Sequence, residues 1–276
     1  MPILTGPDAV VLMGHGSRDP ASADEFLALT DAVAATAPLS ELQVEPGWLE
    51  FAGGTVRSIQ EAFARCVDGG AERIAAVPLI LFAAGHGSAD MPAQVRLAQQ
   101  RYPSADIRMA DLVGIDDGLL ACQAERVHEA TRALAPLPVE QSAVLLVTSG
   151  SKSREANADA FKAARLLADH VDAGIVEVAF LRLARPFVQD AIQRCVRFGA
   201  RRVVVVPLFL NTGLLARRVP RKLVWLRRQY PELELIEVGH LGVDPTLVEV
   251  LARRALAAFA CESAGTARVS TPVYVA

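Results

Sequence analysis

Short hydrophobic runs alternate with longer amphipathic stretches along most of the chain. In the first part, apolar or period-two runs fall near 9–14, 43–51, 73–82 and 106–112. Segments whose apolar residues recur every three or four positions follow them, near 20–37, 55–68, 89–101 and 117–134. Strands that alternate with helices form parallel sheets, because each right-handed crossover returns the chain to the same end of the sheet. We therefore predict an α/β fold with helices on both faces of a parallel sheet.

The same order repeats in the second part of the chain. IAAVPLILFAAG at 74–85 resembles VVVVPLFLNTGL at 203–214. VLMGHGSRDPASADEF at 11–26 resembles LVTSGSKSREANADAF at 146–161 if one residue is inserted. The repeat predicts two tandem domains at 1–136 and 142–265, with a tail at 266–276. Each would be a small flavodoxin-like parallel sheet, and the two would face each other across a cleft.

Composition narrows the function classes. A net charge of −3 provides no general attraction to nucleic acid or acidic membranes, so we expect neither as a partner. No run of 18 apolar residues and no signal-peptide pattern occurs, which favours a soluble, cytoplasmic protein. The cysteines are far apart in sequence and form no CxxC pair, so we expect free thiols; they are Cys66, Cys122, Cys195 and Cys261.

Two histidines occupy similar positions in the first half. His15 in GHGSRDP and His86 in AAGHGSADMP each follow a predicted strand and precede a predicted helix. Ligands of parallel α/β proteins bind at the carboxyl ends of strands, and imidazole is the commonest metal ligand. The second half has Ser149 and Leu215, or a neighbour of Leu215, at these positions. A residue needed only for the fold should occur twice, so the pattern favours metal or proton chemistry over an ordinary strand-to-helix turn.

Other polar residues are predicted at the same end of the sheets. Glu50 lies at the carboxyl end of the second predicted strand, and two imidazoles with one carboxylate leave coordination positions open for a metal that must be released. Arginine pairs with carboxylates by two parallel hydrogen bonds, although a solvated charged helix face is the alternative interpretation. The predicted substrate-binding residues are Ser17, Arg18, Ser88, Lys152, Arg154, Arg217 and Arg218. The remaining histidines, His128, His170 and His240, are interpreted as structural or solvated.

Four segments together carry a family resemblance: VLMGHGSRDPASADEF, WLEF, VPLILFAAGHGSADMP and VPLFLNTGLLARRVP. They resemble the CbiX/SirB family of sirohydrochlorin chelatases, which are ATP-independent class II chelatases, in a tandem two-domain form. The resemblance implies insertion of a divalent metal into sirohydrochlorin, a tetrapyrrole with eight carboxylates. It also implies that His15 and His86 bind the metal and accept protons, and that Glu50 is the matching catalytic acid.

The resemblance favours Co²⁺ and cobalamin biosynthesis, with Fe²⁺ and sirohaem next; Ni²⁺ is also compatible with such ligands. We expect no cofactor besides the substrate metal. We expect a monomer, because the duplication would internalise what single-domain relatives achieve by dimerising. The competing hypothesis is a non-catalytic metal or tetrapyrrole carrier that uses the same histidines. A receptor-like α/β binding protein is a third, which the missing signal sequence and the short repeated halves disfavour.

Overall fold

The computed structural model describes residues 8–50, 56–83 and 89–260. Strands and helices alternate throughout. The strands are β1 (Asp8–Gly14), β2 (Gln43–Trp48), β3 (Arg73–Pro78), β4 (Asp106–Met109), β5 (Ser142–Thr148), β6 (Ile175–Phe180), β7 (Arg202–Pro207) and β8 (Glu234–Glu237). The helices are α1 (Pro20–Ala34), α2 (Ile59–Asp68), α3 (Met91–Arg101), α4 (Asp117–Thr131), α5 (Arg154–Leu167), α6 (Val188–Arg197), α7 (Arg218–Gln229) and α8 (Pro245–Ala260).

The strands form two four-stranded sheets with the same topology. The orders are β2-β1-β3-β4 and β6-β5-β7-β8, and every pairing is parallel. Every residue of β1 is buried, as expected for a central strand that helices cover on both faces. The pairing of Gly14 with Trp48 places the ends of β1 and β2 side by side. The predicted α/β fold with two tandem parallel sheets is confirmed.

β2, β3 and β4 end earlier than predicted, whereas β1 begins one residue earlier. β3 ends at Pro78 rather than at 82, because the chain bends immediately and the Ile80 amide donates to the Pro78 carbonyl (3.0 Å). β2 ends at Trp48, so Glu50 lies two residues beyond the strand that was predicted to contain it. Apolar residues continue past both strand ends, and hydrophobicity alone therefore does not show where pairing stops.

The turns before α1 and α5 show that the predicted one-residue insertion in the repeat is wrong. Asp19 caps α1 and Ser153 caps α5, each by accepting a hydrogen bond from a backbone amide of the first turn. Buried positions then coincide along both helices without a gap, as far as Val33 and Leu167. The insertion would have matched Phe26 with Phe161, but Phe26 is fully buried whereas Phe161 is 47% exposed.

The last helix of each half packs on the sheet of the other half. α8 covers β3 and β4, and α4 lies against β7 and α5. Each half thus exchanges its last helix with the other. Side-chain contacts fix the exchanged helices: Arg254 donates to the Val113 carbonyl (3.1 Å), and Arg126 pairs with Asp244 (2.6 Å). One cluster of buried side chains therefore extends from Leu12 of the first sheet into the second. The predicted domain boundaries describe the repeat along the chain, whereas the packing joins both halves into a shared core.

Two further expectations concern free cysteine thiols and the absence of a membrane-spanning helix. Among the described residues, Cys66, Cys122 and Cys195 are free thiols; Cys261 lies outside the described residues. Burial raises the pKa of Cys66 and of Cys195 to about 12. Within the described part of the chain, no helix is long and apolar enough to cross a membrane.

Candidate functional site

The turn that carries His15 lies directly against the turn that carries Glu50. The Leu49 amide donates to the Gly14 carbonyl (2.9 Å), and the Glu50 amide donates to the His15 carbonyl (3.0 Å). Gly16 has a φ of +95°, and a Cβ at this position would overlap the Glu50 carbonyl oxygen. Only glycine allows such an approach at low cost. The structure thus brings His15 and Glu50 together at the carboxyl end of the sheet, where both residues are exposed.

Buried aromatic packing fixes the strand ends beneath these two residues. Trp48 is 4% exposed, and its ring lies 6.0 Å from that of Phe26 on α1. A Cβ on Gly14 would come 3.0 Å from Trp48 Cδ1, so the end of β1 sits closely against the indole. A site that must hold two side chains in a set relation benefits from such a rigid base.

The second half repeats this backbone with different side chains. The Leu181 amide donates to Thr148 (3.0 Å) and the Arg182 amide to Ser149 (3.1 Å). Gly150 has a φ of +80°, and a Cβ there would overlap the Arg182 carbonyl oxygen. Ser149 therefore takes the place of His15, and Arg182 takes the place of Glu50. Since the same turn forms without an imidazole or a carboxylate, the fold does not require His15 or Glu50.

Ser17 belongs to a structural hydrogen bond that also occurs twice. Its hydroxyl oxygen accepts from the Asp19 amide (3.1 Å), as the Ser151 oxygen accepts from the Ser153 amide (3.0 Å). This repetition gives Ser17 a role in shaping the turn before α1. Its predicted contact with substrate stays a prediction.

The predicted basic residues lie in the turns and helix starts at these strand ends. Arg18 is exposed in the turn before α1, and Lys152 and Arg154 are exposed at the start of α5. Arg217 and Arg218 are exposed where the loop after β7 enters α7. Their predicted binding of substrate carboxylates stays a prediction.

Arg217 has a charged partner inside the protein. Its Nε lies 2.8 Å from Oδ2 of Asp19, whose side chain is 8% exposed. Arg217 thereby connects the second half to the first turn of α1.

Two predicted site residues, His86 and Ser88, lie outside the described residues. Within residues 8–50, 56–83 and 89–260, no group of three His, Cys, Asp or Glu side chains could hold a metal ion. The predicted metal site combines His15 with His86, so its geometry and the role of His86 stay predictions.

Two of the other histidines contact carboxylates across the two halves. His170 Nε2 lies 2.8 Å from Asp117 Oδ1, and His240 Nε2 lies 2.9 Å from Glu25 Oε1. Both histidines thus contact the other half of the protein, and their interpretation as structural residues stays a prediction.

A set of polar contacts between α1 and the second half was not predicted. Asn211 Nδ2 donates to the Ser22 hydroxyl (3.1 Å), and the Thr212 amide donates to Glu25 Oε2. Together with His240–Glu25 and Arg217–Asp19, these contacts hold the loops after β7 and β8 on α1. We call them the rim clamp. A signal was present in the sequence, because NT at 211–212 replaces the FA at 82–83 of the first half.

Comparison with known proteins places the chain in a family. The CbiX family profile matches residues 9–130 and 143–258, which are the two repeats. This chain belongs to the CbiX family. A sirohydrochlorin cobaltochelatase from Priestia megaterium is 31% identical over 252 residues, covering 90% of this chain and 78% of the relative. A sirohydrochlorin ferrochelatase from the same organism is 28% identical over 249 residues, covering 90% and 89% of the two chains.

Solved structures agree with this family membership. The structure described as SirB from Bacillus subtilis with Fe³⁺ superimposes on this CbiX-family chain with a TM-score of 0.78. The two are 26% identical, and the match covers 92% of this chain and 96% of that one. A cobalt complex of a SirB from Bacillus subtilis subspecies spizizenii has a TM-score of 0.73 at 25% identity, covering 92% and 95%. The predicted family and its tandem fold are confirmed.

Proposed function

We propose that this protein inserts a divalent metal into sirohydrochlorin without ATP, in cobalamin or sirohaem biosynthesis. The main observation is that adjoining turns hold His15 beside Glu50, while the same turns of the second half carry Ser149 and Arg182. Family membership supports the reaction, because relatives that align over 90% of this chain are named sirohydrochlorin cobaltochelatase and sirohydrochlorin ferrochelatase. Metal and sirohydrochlorin are both substrates in this proposal.

The proposed roles follow from what insertion requires. The incoming metal must shed water, and two pyrrole N–H protons must leave the macrocycle. Neutral imidazoles of His15 and His86 would hold the metal loosely, and the same ring nitrogens would accept those protons once the metal has passed to the macrocycle. Glu50, next to His15 at the same strand ends, would balance the charge or relay a proton. A site with two imidazole ligands leaves coordination positions open and suits a metal that must be handed on, whereas a closed four-ligand site would retain it.

The second half would orient the tetrapyrrole. Its exposed basic residues at the strand ends can pair with the eight substrate carboxylates, and arginine does so with two hydrogen bonds at once. Arg182 adds a cation at the position where the first half has Glu50. The proposal therefore divides the work: the first half supplies the metal and proton chemistry, and the second half supplies substrate binding.

Co²⁺ is our proposed metal, with Fe²⁺ next. Relatives named for each metal align over the same share of this chain, and the cobaltochelatase has the higher identity. Imidazole and carboxylate ligands accept both ions, so the ligand set itself does not select between them.

The test is an anaerobic absorbance assay of Co²⁺ and Fe²⁺ insertion into sirohydrochlorin. We expect multiple turnovers by the wild type, and losses of at least about 100-fold in kcat for His15→Ala and for His86→Ala. His128→Ala is the matched control, since His128 is an exposed histidine on α4. A wild-type rate equal to the spontaneous rate with both metals would refute the chelatase. Stoichiometric retention of metal or tetrapyrrole without turnover would then favour the carrier.

A further inference from the structure

Among residues 8–50, 56–83 and 89–260, the contacts of the rim clamp occur on the α1 side and have no counterpart on the α5 side. The structural repeat matches Ser22 with Ala156 and Glu25 with Asp159, by the same gapless alignment that matches the caps of α1 and α5. In the part of the chain that the structure describes, the side chain of Asp159 makes no hydrogen bond or ion pair. The fold therefore forms on the α5 side without these contacts. As with His15 and Ser149, a feature present in only one of two equal frameworks points to function.

Glu25 is the central residue of the rim clamp. It accepts hydrogen bonds from the Thr212 amide and from His240, and both donors belong to the other half. Its side chain is only 21% exposed. Burial alone would raise the pKa of the carboxyl, but the hydrogen bonds of His240 and Thr212 and the charge of His240 outweigh it and lower that pKa. The ionised carboxylate is thus the form that joins the halves.

The clamped loop runs directly to predicted substrate contacts. It leaves β7 at Pro207, is held at Thr212, and enters α7 at Arg218. Arg217 makes the second attachment, to Asp19, four residues after His15. The loop is therefore fixed near its middle, by Asn211 and Thr212, and at its end, by Arg217, to the helix whose preceding turn carries His15.

We propose that Glu25 is a positioning residue: it holds loop 208–217 on α1, and so places the substrate-binding face of the second half relative to His15. This proposal rests on the proposed chelatase function. Glu25 does not touch substrate or metal in it. Glu25 instead keeps a fixed distance between His15 in the first half and the basic residues of the second half. Substrate binding would need groups from both halves at that distance.

Backbone hydrogen exchange of the whole chain tests whether Glu25 holds loop 208–217 on α1. In Glu25→Ala, the Thr212 amide loses its acceptor, and we expect exchange in 208–217 to become about tenfold faster. Glu25→Gln keeps a carbonyl oxygen for that amide and should stay closer to wild type. Asp159→Ala is the matched control, with no change expected in 208–217. Unchanged exchange in Glu25→Ala would overturn the clamp itself.

Sirohydrochlorin binding and steady-state kinetics of the same variants test whether the clamp positions the substrate-binding residues. We expect Glu25→Ala to raise both the Kd and the KM for sirohydrochlorin about tenfold while kcat changes less than about twofold. Glu25→Gln should recover most of this loss, which general destabilisation would not explain. Faster exchange with an unchanged Kd would overturn the positioning role. A wild-type protein that does not bind sirohydrochlorin would refute the proposed function and the positioning role with it, whereas exchange would still decide whether the clamp exists.

Discussion

Gly16 is the glycine on which the contact between His15 and Glu50 depends, so Gly16→Ala is an informative perturbation. Two separate costs are expected. Alanine at a φ of +95° costs about 1–2 kcal/mol in backbone strain. Its Cβ would also overlap the Glu50 carbonyl oxygen, so the two turns must separate. Separation breaks the hydrogen bonds from the Leu49 and Glu50 amides, at about 1 kcal/mol each. The total is about 3–4 kcal/mol.

Two other glycines separate these costs. Gly70 has a φ of +88°, and a Cβ added there would have no neighbouring atom within 4 Å, so Gly70→Ala should cost the strain alone. Gly150 meets the Arg182 carbonyl as Gly16 meets Glu50, but in the half without the histidines. Gly150→Ala should therefore lose as much stability as Gly16→Ala while retaining the larger share of chelatase turnover.

The assays are urea unfolding for stability and metal insertion for activity. We expect Gly16→Ala to be roughly 2 kcal/mol less stable than Gly70→Ala, and to lose kcat far more than Gly150→Ala does. If Gly16→Ala were as stable as Gly70→Ala, the close approach of the two turns would not be a constraint. Equal kcat losses in Gly16→Ala and Gly150→Ala would refute the assignment of the chemistry to the first half.

Three further predictions concern stability and reactivity. Because the folded pKa of Glu25 lies below the ordinary carboxyl value of 4.5, its contribution to stability is complete above that pH and is lost as pH falls through the folded pKa. Unfolding of wild type and Glu25→Gln at a series of pH values should show their difference shrinking below pH 4.5; a constant difference would contradict this. Cys66 and Cys195, with pKa values of about 12, should resist a thiol reagent at pH 8 in the native state and react in urea; native reaction at a free-thiol rate would show that they are accessible. Arg126→Ala should cost about 2 kcal/mol in chemical unfolding, because it removes a partly buried ion pair between the halves, whereas Arg165→Ala, at an exposed pair near the end of α5, should cost less than about 0.5 kcal/mol. Equal costs would mean that the exchanged helices are not held by Arg126.

Local patterns in the sequence predicted the strands and helices but not which helix covers which sheet. The apolar run of β1 and the spacing in α1 are properties of neighbouring residues, so they can be read from the chain. An amphipathic helix such as α8 has the same pattern whether it packs on its own sheet or on the other one. The exchange of α4 and α8 depends on contacts between distant residues, such as Arg254 with Val113.

Some residues of the candidate site could also be predicted from the sequence, and others could not. His15 and Glu50 could be predicted because each follows a strand, and adjacent parallel strands end at one edge. Glu25 and His240 could not, because each lies in an ordinary context and they meet only through the tertiary structure. The repeat held the missing information, but similarity of Phe26 to Phe161 suggested an insertion that burial shows to be absent.

Because α4 and α8 each cover the sheet of the other repeat, neither repeat forms an independently folding unit. Cutting the backbone between 136 and 141 would not produce two finished halves, since each fragment would keep its sheet but carry away the helix that covers the other. Either fragment by itself would expose the aliphatic face that α4 or α8 normally shields, and mixing both would let each supply the missing cover. A gene encoding only one repeat would therefore need a second copy of its product to become a folded protein.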